Sequence, residues 1–170
     1  MQQQYEQPSN ARALAGGVGE IPPRLSDEVY TPPALFEKLG ITFDLDVCAP
    51  PGGLPWIPAK HHYSITDDGL AQPWYGNVWM NPPYSSSGVW IRKFIQHNNG
   101  IAIVPFARSK PMLELWASNA TICYPYDPRK PTTMMTFIKN NKRHSIFMPV
   151  IVAAFGKTNC NALHNIGRVR

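Results

Sequence analysis

Four consecutive residues, Asn81-Pro82-Pro83-Tyr84, combine an amide, two rigid proline units and an aromatic ring. The side-chain oxygen of Asn81 and the backbone carbonyl of Pro82 can each accept a hydrogen bond. Proline fixes its own φ angle and restricts the residue before it, so both acceptors have little freedom. Two fixed acceptors and a stacking ring can hold a flat exocyclic amino group with its nitrogen lone pair turned towards an electrophile. The motif therefore predicts methylation of an amine.

Three segments with polar residues are expected to meet at one edge of a sheet. The motif follows a short β-type run, residues 77–80, while Asp46 to Ala49 end another predicted strand. Asp67 to Leu70 form a predicted turn after a third. Ligands of open α/β sheets bind beyond the carboxyl ends of the strands. Taken without further context, the acids of the first two segments also fit ordinary turns.

The pattern of apolar residues predicts alternating strands and helices. Strands are predicted over 41–48, 63–65, 77–80, 101–104 and 120–124, and helices over 88–97 and 110–118. A first helix is predicted to begin after Thr31 as its N-cap and to end at Gly40. Residues 134–138 and 147–155 are predicted to form a hairpin joined by the basic residues 140–143. The fold class is therefore α/β, with a mostly parallel sheet and a C-terminal antiparallel hairpin.

Composition limits the classes of protein. A chain of 170 residues predicts one domain, expected over residues 25–157 between a flexible segment, 1–24, and a basic tail, 158–170. The net charge of +5 favours an anionic partner, nucleic acid first. The three cysteines have no metal-type spacing, so neither a metal site nor a disulfide framework is expected. No apolar run is long enough to span a membrane and no signal peptide is recognisable, which predicts a cytoplasmic protein.

The order of the motifs resembles one enzyme family. Tyr30-Thr31-Pro32-Pro33, Asp46-Val47-Cys48-Ala49, Asp67-Asp68-Gly69-Leu70 and the Asn-Pro-Pro-Tyr segment follow one another as in small phage-encoded DNA N6-adenine methyltransferases, the Dam-like family. The resemblance covers roughly residues 26–156. It implies a Rossmann-like class I methyltransferase fold, S-adenosylmethionine as methyl donor, and DNA as a partner whose target base is flipped into the pocket.

The resemblance also implies roles for individual residues. Asn81, Pro82, Pro83 and Tyr84 would be catalytic, and Asp68 would accept a hydrogen bond from the adenine of the donor. Cofactor binding is expected of Tyr30, Thr31, Pro32, Asp46, Cys48, Ala49, Asp68, Gly69 and Leu70. DNA binding is expected of Ser85, Arg92, Lys93, Arg108, Lys110, Arg129, Lys130, Lys142 and Arg143. Each basic residue taken alone fits an ordinary solvated surface charge.

The chain departs from the wider methyltransferase pattern at the first loop. Ala49-Pro50-Pro51 stands where a glycine-rich turn is usual, before Gly52-Gly53. The same clamp occurs in methyltransferases that act on RNA or on protein glutamine, and a catalytically inactive DNA-binding module of this fold is a further alternative. The chain is expected to act as a monomer or a homodimer.

Overall fold

A computed structural model describes residues 29–125, 136–139, 142–145 and 149–170. The strands are β1 (Phe43–Asp46), β2 (Ala59–His62), β3 (Val78–Met80), β4 (Gly100–Pro105), β5 (Thr121–Pro125), β6 (Thr136–Lys139), β7 (Lys142–Ser145), β8 (Val150–Phe155) and β9 (Gly167–Val169). The helices are α1 (Pro33–Leu39), α2 (Ser87–His97), α3 (Lys110–Ala117) and α4 (Lys157–Ala162). The segment 1–24, predicted to be flexible, lies outside the described residues.

Seven strands form one sheet in the order β2-β1-β3-β4-β8-β5-β9, and β6 and β7 form a separate pair. The pairings from β2 to β4 are parallel, and the three pairings made by β8 and β9 are antiparallel. Since β4 and β5 both run opposite to β8, β5 has the direction of the first four strands. The protein is therefore mixed α/β, with a mostly parallel core as predicted.

The sheet is covered on both faces by helices. One apolar cluster packs α1, through Leu35 and Phe36, against Phe43 and Trp79. The other cluster packs α2 and α3 against the opposite face of the sheet, where Met80 lies. Trp79 and Met80 face opposite layers because side chains alternate along a strand. All residues of β4 and β8 are buried, as expected of strands covered on both sides.

The helix ends follow the sequence signals with one exception. Gly40 ends α1 with φ 64°, a left-handed conformation that glycine adopts without strain. Ser109 caps α3 by accepting a hydrogen bond from the backbone N–H of Met112. The prediction of Thr31 as N-cap of α1 is wrong, since Pro32 takes that position. The chain thus enters this helix without a side-chain cap.

The predicted strand over 63–65 is wrong, since β2 occupies Ala59–His62 instead. β2 is an edge strand whose last three residues are exposed, and it pairs Leu45 with His61. The prediction followed the apolar side chains of Tyr63 and Ile65. An exposed edge strand has no alternating apolar pattern to reveal it.

The predicted pairing of residues 134–138 with 147–155 is also wrong. β6 pairs with β7, which brings Phe137 opposite His144, and Lys142 and Arg143 lie within β7 rather than in a loop. β8 is inserted between β4 and β5 in the main sheet. Six consecutive apolar residues gain more burial in the centre of a sheet than in a two-stranded hairpin.

The residues after Gly156 do not fray. They form α4, a 3₁₀ turn and β9, which pairs with β5 at the positions Cys123 to Val169 and Tyr124 to Arg168. The polar composition of this segment hid an edge strand. In the described part of the chain, no helix is long and apolar enough to cross a bilayer.

Candidate functional site

The three polar segments meet at the carboxyl edge of the parallel strands, as the sequence predicted. The backbone N–H of Tyr63 donates to the Asp46 carbonyl, and that of Ala49 donates to the Tyr63 carbonyl, both at 2.8 Å. The backbone of Asn81 hydrogen-bonds the Cys48 thiol. Gly69 lies so close to the Val47 carbonyl that a β-carbon at this position would overlap it.

A small pocket opens beside this edge. It has a volume of about 70 Å³. Its walls include seven of the predicted cofactor-binding and catalytic residues, namely Tyr30, Thr31, Asp46, Cys48, Ala49, Asn81 and Pro83. Pro32, Pro82, Tyr84, Asp68, Gly69 and Leu70 are not among its lining residues. The structure thus unites the clamp with the N-terminal and first-loop segments and sets the Asp68 turn apart from the pocket.

Asn81 follows directly on β3, whose three residues are all buried. Its side-chain nitrogen, Nδ2, donates to the Val29 carbonyl at 3.0 Å. Its oxygen, Oδ1, is buried and has no hydrogen-bond partner. A buried amide oxygen without a donor is costly, so the position is suited to a ligand that brings an N–H group. The bond to Val29 fixes which end of the amide is offered.

Tyr84 begins a 3₁₀ turn that leads into α2. Its ring lies edge-on against Phe137, with the ring centroids 6.5 Å apart. Its hydroxyl is buried without a partner, and burial raises the pKa of Tyr84 well above its ordinary value. The ring therefore packs against the apolar core instead of lining the pocket.

Asp46 is the buried charge of the site, with 3% of its surface exposed. One carboxylate oxygen accepts a hydrogen bond from the Cys48 backbone N–H at 3.2 Å. Burial raises the pKa of Asp46 to about 7, and the Cys48 hydrogen bond opposes this shift only weakly. No salt bridge within the described residues includes Asp46. A cationic ligand would supply the countercharge that the protein does not.

The segment that covers the pocket is held at several points. The Trp56 indole N–H donates to the Thr31 carbonyl at 2.9 Å, and Tyr30 and Ile138 exchange two backbone hydrogen bonds of 2.8 Å. Thr31 is 1% exposed, and its hydroxyl has no partner. Sequence analysis missed Trp56, since a tryptophan in a proline-rich loop gives no signal of a long-range tether.

The Asp67-Asp68 turn is ordered by its own hydrogen bonds. The Asp67 carboxylate accepts from the backbone N–H and the hydroxyl of Ser64, both at 2.7 Å, which lowers the pKa of Asp67. Asp68 adopts φ 54°, and its carboxylate accepts from the Ala71 N–H at 3.3 Å. The tight turn that the sequence offered as an alternative is therefore present.

Two of the predicted phosphate ligands are used inside the protein. The Lys93 ammonium donates to the carbonyls of Gly69, Leu70 and Gln72 at 3.2, 2.6 and 2.5 Å. It also lies 5.0 Å from the centroid of the Trp74 ring. Arg92 forms a salt bridge of 2.8 Å with Glu114. The prediction that Lys93 binds DNA is therefore wrong, because its hydrogen-bond donors already hold the 69–72 loop.

The other predicted DNA contacts divide into two groups. Ser85, Arg108, Lys110 and Lys142 are exposed. Arg129, Lys130 and the side chain of Arg143 lie outside the described residues. The exposed group leaves an interaction with phosphates open.

A mixed α/β sheet with an open amide acceptor and a buried acid at its carboxyl edge fits a methyltransferase-like fold. The family model for DNA N-6-adenine-methyltransferases (Dam) matches residues 19–145, which is most of the chain, and the protein belongs to this family. Adenine N6 methylation in DNA is the activity that defines such a family. Neither the curated proteins nor the solved structures include a significant match.

Proposed function

We propose that the protein transfers a methyl group from S-adenosylmethionine to the N6 amino group of adenine in DNA. One observation carries the proposal: the buried Oδ1 of Asn81 has no partner and borders the same pocket as the carboxylate of Asp46. The first atom suits an amine donor, and the second suits a cation.

The residues around the pocket fit the methyl donor by charge. S-adenosylmethionine, when bound, supplies an electrophilic methyl group on a positively charged sulfur. Asp46 would balance that charge or the charge of the donor's ammonium group, and Thr31 would contribute its unpartnered hydroxyl. Pockets for small molecules usually measure about 300 Å³ or more. Because this pocket measures about 70 Å³, the segment 29–31 has to move before the donor enters.

The chain would act mainly by positioning. Asn81 Oδ1 would accept one N–H of the adenine amine, and the Pro82 carbonyl would accept the other. With both hydrogens held, the nitrogen lone pair faces the methyl group, so a new C–N bond forms as the C–S bond breaks. The amine loses its proton to solvent after the transfer, and no base is needed beforehand. Fixed acceptors of this kind act without reorganisation during the reaction.

The target base would leave the DNA stack to reach the clamp, at a cost of a few kcal/mol. Stacking of the base on Tyr84 would require its ring to turn away from Phe137. The Asp68 turn is proposed to bind the adenine of the donor, and Lys93 would hold that turn by its three carbonyl contacts. In this arrangement Lys93 is a positioning residue. A Rossmann-like arrangement of the sheet is part of the proposal.

The test is a methylation assay on three substrate classes. The protein is incubated with labelled donor and plasmid DNA, total RNA or a protein extract, and modified DNA is sequenced at base resolution. Label in DNA, at the N6 position of adenine, is the expected result. Label in RNA or in protein glutamine, with none in DNA, would contradict the proposal and favour the methyltransferases that share the motif.

The small volume of the pocket favours a second candidate, an inactive DNA-binding module of the same fold. Titration calorimetry with S-adenosylmethionine separates the two. The proposed enzyme binds the donor, whereas the inactive module releases no heat and still binds DNA.

A further inference from the structure

An exposed surface beside α3 carries both aromatic and positive side chains. We call it the aromatic-basic face and define it by Phe106, Trp116, Tyr124, Arg168 and Arg170. The three aromatic residues are 49%, 40% and 52% exposed. Large exposed aromatic side chains that cluster in this way typically mark an interaction surface.

The register of the edge strands explains why these side chains lie together. Ile122 of β5 packs in the cluster that contains α3, and Cys123 packs in the opposite cluster. Tyr124 therefore points to the side of α3, because side chains alternate along a strand. Arg168 lies directly opposite Tyr124 in β9, and Arg170 exchanges two backbone hydrogen bonds with Ile122.

Contacts within the face connect it to the helix. The rings of Phe106 and Trp116 lie with their centroids 6.3 Å apart at an angle of 46°. The guanidinium carbon of Arg170 lies 4.5 Å from the centroid of the Trp116 ring, which is cation–π geometry. The aromatic rings and the positive charges thus form one continuous surface.

The charge of the face is not neutralised locally. Glu114 is the acid of α3, and it is paired with Arg92 on α2. Arg168 and Arg170 are both exposed and form no salt bridge within the described residues. The face therefore complements an anionic partner.

The face extends from the edge that carries the clamp. Phe106 follows β4, which runs parallel to β3 with Met80 opposite Ala102, so Phe106 lies beyond the same carboxyl edge as Asn81. The beginnings of α2 and α3 touch, since a β-carbon on Gly88 would lie 3.0 Å from the Pro111 ring. A strand bound at the clamp would reach the face by following the start of α3.

We propose that the aromatic-basic face binds a single-stranded segment of DNA. This inference rests on the proposed function, which makes DNA the substrate. Aromatic rings stack on bases, and a single strand exposes base faces that a duplex hides. The arginines would contact its phosphates, with the release of counterions. Neither a peptide nor a second copy of this basic chain offers both features.

Alanine substitutions of Trp116 and Tyr124, made singly, test the stacking. Fluorescence anisotropy with a labelled single-stranded oligonucleotide should show affinity reduced roughly 5- to 100-fold in each variant. Tyr75→Ala is the matched control, because Tyr75 is 44% exposed and lies near His61 of β2, at the other end of the sheet. It should bind as the unchanged protein does. Thermal unfolding of every variant shows whether a loss of binding reflects a loss of folding.

Arg168→Gln tests the charge. It should reduce the slope of log affinity against log salt concentration by about one, as expected for one lost phosphate contact. Unchanged affinity in W116A, Y124A and R168Q would overturn the inference, as would equal losses in Y75A. A change in sedimentation instead of in DNA binding would assign the face to a second copy of the chain.

The same experiment separates this inference from the function on which it rests. If the variants bind the single strand normally and the unchanged protein still methylates DNA, only the face is wrong. If the unchanged protein binds no DNA and methylates none, the proposed function fails as well.

Discussion

Two asparagines flank the three-residue strand β3, and the protein uses them in opposite ways. Asn77 precedes the strand, and both ends of its amide are paired: Nδ2 donates to the Thr42 carbonyl, and Oδ1 accepts from Asn159, each at 2.8 Å. Asn81 follows the strand, and only its Nδ2 is paired, with the Val29 carbonyl. Its Oδ1 is buried with no partner.

The difference separates stability from function along one strand. At the amino end of β3, Asn159 joins Asn77 and Asn99, and its own Oδ1 is the one orphan that the described part of that cluster contains. At the carboxyl end, Asn81, Thr31 and Tyr84 all keep an unpaired polar atom. Folded proteins rarely leave several buried polar groups unpaired outside functional sites.

The largest expected effect is the loss of activity in Asn81→Ala. Removal of one preorganised hydrogen-bond partner costs about 10²- to 10³-fold in rate. Methyl transfer to DNA, measured with labelled donor, should fall by at least this factor, while calorimetry shows donor binding within a few-fold of normal. Full activity in this variant would remove the clamp from the mechanism.

The second expected effect is a change in the pH dependence of stability in Asp46→Asn. Burial raises the pKa of Asp46 to about 7 from the ordinary value of 3.8, so between these values the folded protein binds more protons than the unfolded chain. The free energy of unfolding therefore decreases as pH rises through this window. The variant should lack this decrease and be more stable than the unchanged protein by ~2–4 kcal/mol at pH 8, with little difference near pH 4.

Urea unfolding of both proteins across pH 4 to 8 measures this effect. Parallel curves would show that the Asp46 carboxylate is solvated or neutralised in the folded protein. The same variant should lose affinity for S-adenosylmethionine, because it lacks the negative charge.

Asn77→Ala is the mirror image of the first substitution. It deprives Thr42 and Asn159 of hydrogen-bond partners and should lower the free energy of unfolding by ~1–3 kcal/mol. The rate of methyl transfer at a temperature where the variant is folded should change less than tenfold. If Asn77→Ala lost as much activity as Asn81→Ala, the contrast between the two ends of β3 would not hold.

The smallest effect is expected for Trp56→Phe. This change removes the indole N–H that holds the Thr31 carbonyl and keeps an aromatic ring in its place. Looser attachment of the segment should change the KM for the donor roughly fivefold, equivalent to about 1 kcal/mol, with kcat nearly unchanged. A reduced kcat with an unchanged KM would show that the tether acts on the reaction step.

The carboxyl edge of the sheet was predictable because its signals are local. Prolines and an asparagine after an apolar run predict a strand followed by a rigid turn, and the chain folds in this way at residues 78–83. The fully apolar strands β4 and β8 were also evident. The partner of β8 was not, since a run of apolar residues states that it is buried but not beside which strand.

The rest of the site depends on long-range contacts that sequence patterns do not contain. Lys93 carries a charge that suits a phosphate, yet it lies next to three carbonyls supplied by a loop about twenty residues away. Asp46 has the same composition signal as a solvated turn residue, and only the packing of α1 and the first loop makes it a buried acid. The edge strands β2 and β9 escaped notice because polar side chains mask them.

Cys48 gives the protein a chemical reporter of pocket opening. Burial and the neighbouring Asp46 carboxylate raise the pKa of this thiol well above its ordinary value, and alkylating reagents attack the thiolate form. In the closed arrangement the thiol should resist maleimides, and exposure to solvent should increase its reactivity. Mass spectrometry of alkylated peptides would therefore time how often residues 29–31 lift from the rim.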